Sequence, residues 1–414
     1  MRFSVFTHVI HEEQKGRLHA YSPYIREMNL WFKNVGEVEI IAPLSPKKEE
    51  LIIEKAYEHN NIIFTSISAF NLLSISAILK SVVRIPVNFF RILSAMKRAD
   101  HLHIRCPGNI GLLAVVAQIF FPRKPKTVKY AGNWDPGAKL PWTYKLQKWI
   151  LSNTLLSRNI KVLVYGDWEG KSKNIVSFFT ASFTELEKGI IEKDLTPPYK
   201  FIYTGNLVEG KGIFEAITLI DALNKKGVMS ELEIYGGGIL KNQLENFIQK
   251  ESLQNLMKLK GRRSLEELKE AYKKAHFVIL LSKSEGWPKT LAEGMWYGCV
   301  PIATSVSCVP WMLGEGSRGV LIPDLEKREE NKKKRSVLVN DESLKNPQFE
   351  GLDGSRDVSR PDSFYETDVE KILRLLENPE KLKEMSSAAQ EWSQQYTLEK
   401  LEAEIKKLLV LKKP

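Results

Sequence analysis

The sequence is poor in cysteine and has no long apolar run. Its three cysteines, Cys106, Cys299 and Cys308, lack the spacing of a metal site or a disulfide framework, which is typical of a reducing compartment. The longest charge-free apolar run, 108–121, is shorter than the roughly 20 residues of a membrane-spanning helix. The first ten residues resemble a short strand and have no signal-peptide cleavage site. We therefore expect a cytoplasmic protein that is not integral to the membrane.

Several nucleotide and metal motifs are also missing. The chain has no G-x-x-x-x-G-K-[ST] phosphate loop, no G-x-G-x-x-G fingerprint and no His/Cys cluster with zinc spacing. No recognised nucleic-acid-binding module is present either. The sequence therefore predicts no metal and no nucleic-acid partner.

The composition is that of a folded chain with an uneven charge distribution. The 414 residues are 43% hydrophobic and 27% charged, which excludes a mostly disordered chain and suggests two or three domains. The net charge is +11. Residues 1–200 hold 28 Lys and Arg against 17 Asp and Glu, whereas residues 201–414 hold 33 of each. The excess positive charge lies in the first half and predicts an anionic partner there.

Short β-rich runs alternate with helical patterns along the whole chain. The first series runs from a strand at 3–10 and a helix at 21–33 to a helix at 142–156. Pro197-Pro198 interrupts it, and a second series begins at 201. This rhythm predicts an α/β fold of two doubly wound Rossmann-like domains facing across a cleft. We place the domains at 1–195 and 196–414.

The second domain contains a stretch that departs from this pattern. Residues 326–362 are rich in charged and small polar side chains and are predicted to be a charged insertion. Its basic run at 332–335 is balanced by neighbouring glutamates, which favours a solvated loop over nucleic-acid binding. Helical patterns resume after Asp368, and the C-terminal helices are expected to cross back to the first domain.

The segment 282–293 carries the most chemical information. It follows an apolar strand and opens a helix, whose free amides and positive dipole end suit a phosphate group. Glu285 precedes the helix and Glu293 lies within it. Two carboxylates beside a phosphate-binding helix end are suited to accept hydrogen bonds from sugar and ribose hydroxyls on either side of a diphosphate.

This segment resembles glycosyltransferase family 4, whose members have the GT-B fold, use nucleotide-sugars and retain the anomeric configuration. The family has two Glu separated by seven residues, followed by a small-residue turn into a strand. Here these are Glu285, Glu293 and the turn 298–304. The resemblance implies that Glu285 contacts the donor sugar and Glu293 the nucleotide ribose.

A second segment, 204–212, fits the same family. The family has Gly-Arg-Leu, a spacer and Lys-Gly here, with the Arg and Lys on the donor diphosphate. Lys211 matches, while Asn206 stands where Arg is usual, and Arg262 or Arg263 is a candidate replacement. The resemblance makes Glu285 and Lys211 the catalytic residues. It implies donor contacts at Gly16, Gly205, Asn206, Lys211, Arg262, Glu285, Gly286, Trp287, Thr290, Leu291 and Glu293.

The first domain gives weaker signals for the acceptor side. Many family members have a His after the strand that corresponds to 127–130, but this chain has Ala131-Gly132-Asn133. Arg105, Asn133, Trp134 and Asp135 are candidates instead. His8, His11 and His19 are further alternatives, although a lone His near a strand end is more often structural. No cofactor and no metal are expected, because the chain lacks the Asp-x-Asp motif of metal-dependent glycosyltransferases. Lys211, a nearby Arg and helix-end amides would then neutralise the leaving diphosphate.

A basic and apolar stretch in the first domain indicates a membrane surface. The basic residues are Lys80, Arg84, Arg91, Lys97, Arg98, Arg123, Lys124, Lys126 and Lys129. Because apolar side chains are interleaved with them, peripheral contact with an anionic bilayer is one interpretation, and an ordinary amphipathic core helix is the other.

Together these features predict a hexosyltransferase-type glycosyltransferase. It would move a sugar from a UDP- or GDP-sugar to a glycan or lipid-linked acceptor in cell-surface polysaccharide or glycoconjugate biosynthesis. Two alternatives remain open: a sugar-nucleotide epimerase of the same fold, and a non-catalytic nucleotide-sugar-binding protein. The expected location is the cytoplasm, with peripheral contact at the inner face of the cell membrane.

Overall fold

The computed structural model describes residues 1–45, 54–70, 84–324 and 366–409. The chain divides into two compact units. The first comprises Met1–Leu186 together with the segment from Tyr396 onward, and the second comprises Glu187–Gln395. The charged insertion predicted at 326–362 lies outside the described residues.

The first unit is built on a parallel sheet. Its strands are β1 (Arg2–Phe6), β2 (Glu12–Gln14), β3 (Arg17–Tyr21), β4 (Glu37–Ala42), β5 (Glu54–Ala56), β6 (Ile62–Ser66), β7 (His101–Cys106), β8 (Lys126–Tyr130), β9 (Ile160–Tyr165) and β10 (Ile175–Phe178). The large sheet has the order β10-β9-β8-β7-β1-β4-β6, with β1 between β4 and β7. Its central strands are buried on both faces, as expected for a parallel sheet between helices.

Helices cover both faces of this sheet. They are α1 (Ser22–Phe32), α2 (Arg84–Arg98), α3 (Asn109–Ala117) and α4 (Trp142–Ser152). Helices α2, α3 and α4 pack side by side, and their apolar sides share one core with β7, β8 and β9. The connection through α1 runs from β1 to β4, whereas the connection through α3 runs from β7 to β8, in the opposite direction across the sheet. Right-handed crossovers therefore place these two helices on opposite faces.

A small antiparallel sheet follows β1. The strand predicted at 3–10 ends at Phe6, and β2, β3 and β5 pair in the order β2-β3-β5. Lys15 and Gly16 both have positive φ, at 49° and 72°, which matches a two-residue hairpin turn. Gly16, predicted as a donor contact, therefore lies in a hairpin turn.

The second unit repeats the doubly wound pattern. Its strands are β11 (Tyr199–Thr204), β12 (Ser230–Tyr235), β13 (Met257–Gly261), β14 (Phe277–Leu280), β15 (Val300–Thr304) and β16 (Val320–Ile322). The sheet order is β13-β12-β11-β14-β15-β16, and all described pairings are parallel. The strand order reverses between β11 and β14, which makes this position the topological switch point.

The second unit also has helices between its strands and after the last of them. They are α5 (Ile213–Lys225), α6 (Lys241–Lys250), α7 (Leu265–Lys274), α8 (Lys289–Trp296), α9 (Val309–Met312), α10 (Glu366–Leu376) and α11 (Pro379–Ser393). Helix α7 begins with a capping box, in which Ser264 accepts from the Glu267 amide and Glu267 accepts from the Ser264 amide.

The last described helix, α12 (Leu398–Leu409), belongs to the first unit, where it packs against α1. Both units are thus parallel sheets covered by helices. The predicted α/β class with two doubly wound Rossmann-like domains is confirmed.

Candidate functional site

Two loops of the second unit meet at the switch point of its sheet. One is 205–212, after β11, and the other is 281–288, after β14. Because β11 and β14 are parallel neighbours, both loops leave the same edge of the sheet. Crevices at the carboxyl ends of strands beside a switch point are where doubly wound sheets bind ligands.

The two loops are joined by a close backbone contact. Gly212 has φ of 68°, and a Cβ there would lie 2.0 Å from the Leu281 carbonyl oxygen. Only glycine permits this conformation and this approach together. The Lys283 amide also donates to the Gly210 carbonyl oxygen at 2.9 Å. The loops therefore have a fixed separation, and their side chains are placed by the sheet.

Lys211 and Glu285 form an ion pair at this junction. Lys211 Nζ lies 2.7 Å from Glu285 Oε1. The Glu285 side chain is 8% exposed, whereas that of Lys211 is 33% exposed. The Glu285 amide donates to Ser307 Oγ at 3.0 Å, which anchors the loop to the segment after β15. The sequence analysis predicted Lys211 and Glu285 as catalytic residues, and the structure brings their side chains into contact.

A buried hydroxyl network begins at the carboxyl end of β11 and includes a contact with Glu293. Tyr272 OH lies 2.6 Å from Thr204 Oγ1 and 3.3 Å from Thr290 Oγ1, and it donates to Glu293 Oε2 at 3.4 Å. The Thr204 and Thr290 hydroxyls are also in contact. Burial and the Glu293 carboxylate raise the pKa of Tyr272 well above its usual value, so the hydroxyl stays protonated.

Sequence reasoning missed Tyr272 and Thr204. Tyr272 is the one buried residue assigned to helix α7, which is otherwise made largely of Lys and Glu. An aromatic residue in such a helix is a signal that could have marked it. Thr204 gave no comparable signal, because a Thr at the end of a strand is common and has no distinctive sequence context.

The glycine-rich turn after β12 packs against the loop after β11. A Cβ on Gly236 would lie 1.8 Å from the Gly205 carbonyl oxygen, so the two backbones touch. A Cβ on Gly237 would lie 2.8 Å from Arg262 Nε, which places the Arg262 side chain against this turn. Asn206 is exposed, and its carbonyl oxygen accepts from Tyr203 OH at 3.1 Å. Gly205, Asn206 and Arg262 therefore surround one turn.

Three residues predicted to contact the nucleotide-sugar donor hold helix α8 in place. Trp287 is 7% exposed and stacks on Trp392, with ring centroids 5.9 Å apart, beside Trp311. Leu291 is fully buried in the core. The Gly286 carbonyl oxygen accepts from Cys308 Sγ at 2.9 Å. The buried side chains of Trp287 and Leu291 thus fix the start of the helix.

Gly16 belongs to the first unit, in the turn between β2 and β3. It is thus in a different unit from the other predicted donor residues, and open space surrounds the position of a Cβ on it.

The acceptor-side candidates lie at the corresponding edge of the first unit. Arg105 Nη1 is 3.2 Å from Glu27 Oε1, and the guanidinium lies 5.0 Å from the centre of the Tyr24 ring. Trp134 is buried, with Lys148 Nζ 5.1 Å from its ring centre. His103 faces the core, where burial lowers its pKa to about 3. Arg105 thus lies near the carboxyl end of β7 with its charge paired to Glu27.

Within the described ranges, no group of three or more His, Cys, Asp or Glu is arranged to hold a metal ion. In the same ranges, no helix has the length and apolarity needed to cross a bilayer.

Comparison with known proteins links this site to one family. Residues 187–349 match the model of the family described as Glycosyl transferases group 1. This match covers the loops 205–212 and 281–288.

Two curated relatives match parts of the chain. An uncharacterized glycosyltransferase of Methanocaldococcus jannaschii is 32% identical over 150 residues, which are 36% of this chain and 40% of the relative. A GDP-mannose:cellobiosyl-diphosphopolyprenol alpha-mannosyltransferase of Xanthomonas oryzae pv. oryzae is 27% identical over 129 residues, 31% of this chain and 34% of the relative. The chain thus spans two fifths or less of the length of these relatives.

Solved structures match over nearly the whole chain. Sucrose-phosphate synthase of Thermosynechococcus elongatus is similar with a TM-score of 0.63 and 14% identity, over 98% of both chains. HepE of Anabaena, in complex with UDP and glucose, is similar with a TM-score of 0.60 and 14% identity, over 99% of both chains. The fold is therefore the GT-B fold, and the family match supports a GT-B glycosyltransferase.

Proposed function

We propose that this protein is a retaining glycosyltransferase that moves a sugar from a UDP- or GDP-sugar to a glycan or lipid-linked acceptor. The family match and the names of the curated relatives support the transferase reaction. One relative is named for a GDP-sugar and a diphosphopolyprenol acceptor, and one structural neighbour contains UDP. Two further relatives, named for the biosynthesis of amylovoran and of colanic acid, favour polysaccharide biosynthesis as the process.

The Lys211–Glu285 pair at the switch point is the observation that carries the proposal. A donor presents a diphosphate and a sugar, and here a cation and a carboxylate lie 2.7 Å apart. The Lys211 side chain is one-third exposed at this edge of the sheet, where it would neutralise the charge that develops on the leaving diphosphate. Glu285 would accept hydrogen bonds from hydroxyls of the donor sugar and orient its anomeric carbon.

The remaining donor contacts follow from the same geometry. The amides at the start of helix α8 supply a positive dipole end beside Lys211. Glu293, held by Tyr272, would accept from the ribose hydroxyls. Arg262 lies against the glycine turn next to Gly205, where it would supply the cation that Asn206 does not. The reaction would then proceed without a metal ion.

Glu285→Gln tests the assignment by removing the charge while preserving the shape. The rate of sugar transfer from the preferred donor should fall about a hundredfold or more. The reason is that the carboxylate stabilises the transition state, in which charge develops, more than it stabilises the bound donor. The matched control is Glu209→Gln, an exposed carboxylate in the neighbouring loop, and its rate should stay at the wild-type value.

Two results would contradict the proposal. One is a folded Glu285→Gln variant that transfers sugar at the wild-type rate. The other is turnover that releases no nucleoside diphosphate, which would indicate an epimerase instead.

A further inference from the structure

We propose that the outward face of the helical layer α2–α4 in the first unit binds the surface of an anionic lipid bilayer. Residues 84–161, which contain this layer, hold 14 Lys and Arg against two acidic residues, Asp100 and Asp135. A charge imbalance of this size on one segment attracts a negatively charged surface. The inference concerns binding of the whole protein and does not depend on its catalytic activity.

Part of this charge is structural and is not available to a bilayer. Lys126 is 2% exposed, and its Nζ donates to the carbonyl oxygens of Phe121, Lys124 and Arg158. Lys129 is fully buried between the rings of Tyr165 and Phe178. The basic cluster predicted at 123–129 is therefore mostly an internal support for the sheet.

Arg98 is also committed to the fold. Its Nη2 lies 2.5 Å from Glu39 Oε1, and the Glu39 side chain is 1% exposed. By contrast, Arg91 on the same helix donates to the Ser66 carbonyl oxygen. Because this acceptor is neutral, the contact does not cancel the positive charge of Arg91. Lys97 is exposed as well. The membrane-facing charge on α2 is therefore expected from Arg91 and Lys97.

Helix α4 presents two tryptophans on its outer side. Trp142 is 62% exposed and Trp149 is 60% exposed. They are seven residues apart, two helical turns, with the exposed Lys145 between them on the same side. The opposite side of the helix, including Gln147 and Ile150, is buried against the core. The outer side has the composition of an interfacial helix.

The exposed phenylalanine side chains lie on the same layer. Phe90 on α2 is 69% exposed, and Phe120, in the turn that continues α3, is 66% exposed. Among the described residues, every exposed Trp or Phe is one of these four, and α2, α3 and α4 are packed neighbours. Large exposed apolar side chains of the second unit are isolated aliphatic residues, such as Met229 and Ile239.

A bilayer surface fits this combination better than a dissolved anion. Tryptophan has an apolar ring and a polar N–H group, so it is most stable at the boundary between lipid and water. Lysine and arginine beside it interact with anionic headgroups. A dissolved phosphate would use the charges but would leave four large rings in water. The layer would lie on the membrane, since no described helix is able to span it.

Vesicle co-sedimentation of the full-length protein tests this surface. We expect binding to vesicles of phosphatidylcholine with phosphatidylglycerol, and little binding to phosphatidylcholine alone. The double variant Trp142→Ala/Trp149→Ala should bind about tenfold more weakly, because the interfacial apolar area is removed. Met229→Ala/Ile239→Ala is the matched control and should bind like the wild type.

The charge contribution is tested separately with Lys145→Glu. It should weaken binding to anionic vesicles by about fivefold or more, and the loss should shrink at high salt. Lys383→Glu, on an exposed position of the second unit, is its control. All four variants change only surface residues, so thermal melting should be unaffected.

Two outcomes would overturn the proposal. In one, the tryptophan variant sediments with anionic vesicles as the wild type does. In the other, the wild type does not bind vesicles, and analytical ultracentrifugation shows a dimer for the wild type and a monomer for the tryptophan variant. The second result would assign the face to contact between two copies of this chain.

Discussion

At the scale of single residues, the candidate site depends on contacts between segments distant in sequence. Lys211 and Glu285 were predicted from two separate motifs, yet nothing in either motif states that they touch. Their 2.7 Å contact results from the adjacency of β11 and β14 and from Gly212, which has no side chain to keep the loops apart. The identities of these residues were therefore predictable, and their pairing was not.

Tyr272 provides a residue-scale prediction. Tyr272→Phe removes the hydroxyl that contacts Thr204 and Glu293 but leaves the ring in the core. The free energy of unfolding should fall by about 1 kcal/mol, the typical net value of a lost hydrogen bond. The KM for the donor should rise with kcat little changed, because Glu293 would bind the ribose equally in the ground and transition states.

The matched control for this change is Tyr199→Phe. Tyr199 begins β11, so it lies at the opposite edge of the same sheet from the candidate site. Donor KM, measured by steady-state kinetics, should be unchanged in this variant. An unchanged KM in Tyr272→Phe, or an equal rise in both variants, would contradict the role assigned to Tyr272.

At the scale of elements, the helices and strands with strong local sequence signals were the ones that could be predicted. Helix α7 has a clear local start signal, because Ser264 and Glu267 form a capping box. The hairpin β2–β3 was missed, because its strands are short and polar and one pairs with the distant β5.

Helix α4 was predicted to continue to Leu156 but ends at Ser152. The side-chain oxygen of Asn153 accepts from the amides of Leu155 and Leu156, which turns the chain at that point. An Asn within a helical pattern is compatible with a continuing helix or with a turn that its side chain stabilises. The sequence alone therefore did not predict this helix end.

Arg98 provides an element-scale prediction, because its ion pair joins α2 to β4. Arg98→Ala leaves the buried Glu39 carboxylate without its cation. The Arg98 side chain is 44% exposed, so solvent screens the pair, and we expect a loss of about 2 kcal/mol in unfolding free energy. Urea denaturation with and without the substitution measures this difference.

Arg91→Ala is the control on the same helix. Arg91 is exposed and donates a hydrogen bond to the Ser66 carbonyl oxygen, so its removal should cost less than about 1 kcal/mol. Equal losses in the two variants would show that the Arg98–Glu39 pair does not stabilise the packing of α2.

At the scale of the whole molecule, the charge and the chemistry belong to different units. The net charge of +11 arises in residues 1–200, whereas the Lys211–Glu285 pair and its neighbours lie in the second unit. The sequence alone indicated this division. It did not distinguish exposed basic residues from buried ones such as Lys129, because burial depends on packing between elements.

Binding of nucleoside diphosphates tests the central claim most directly, since it requires neither the correct sugar nor the acceptor. Isothermal titration calorimetry with UDP and with GDP should detect binding of one of them to the wild type and to Lys283→Met. Lys211→Met should bind it at least about tenfold more weakly, because a cation on the diphosphate is lost. Lys283 is exposed on the neighbouring loop and is the matched control. Equal affinity of all three proteins, or no binding of either nucleotide by the wild type, would contradict the assignment of this site.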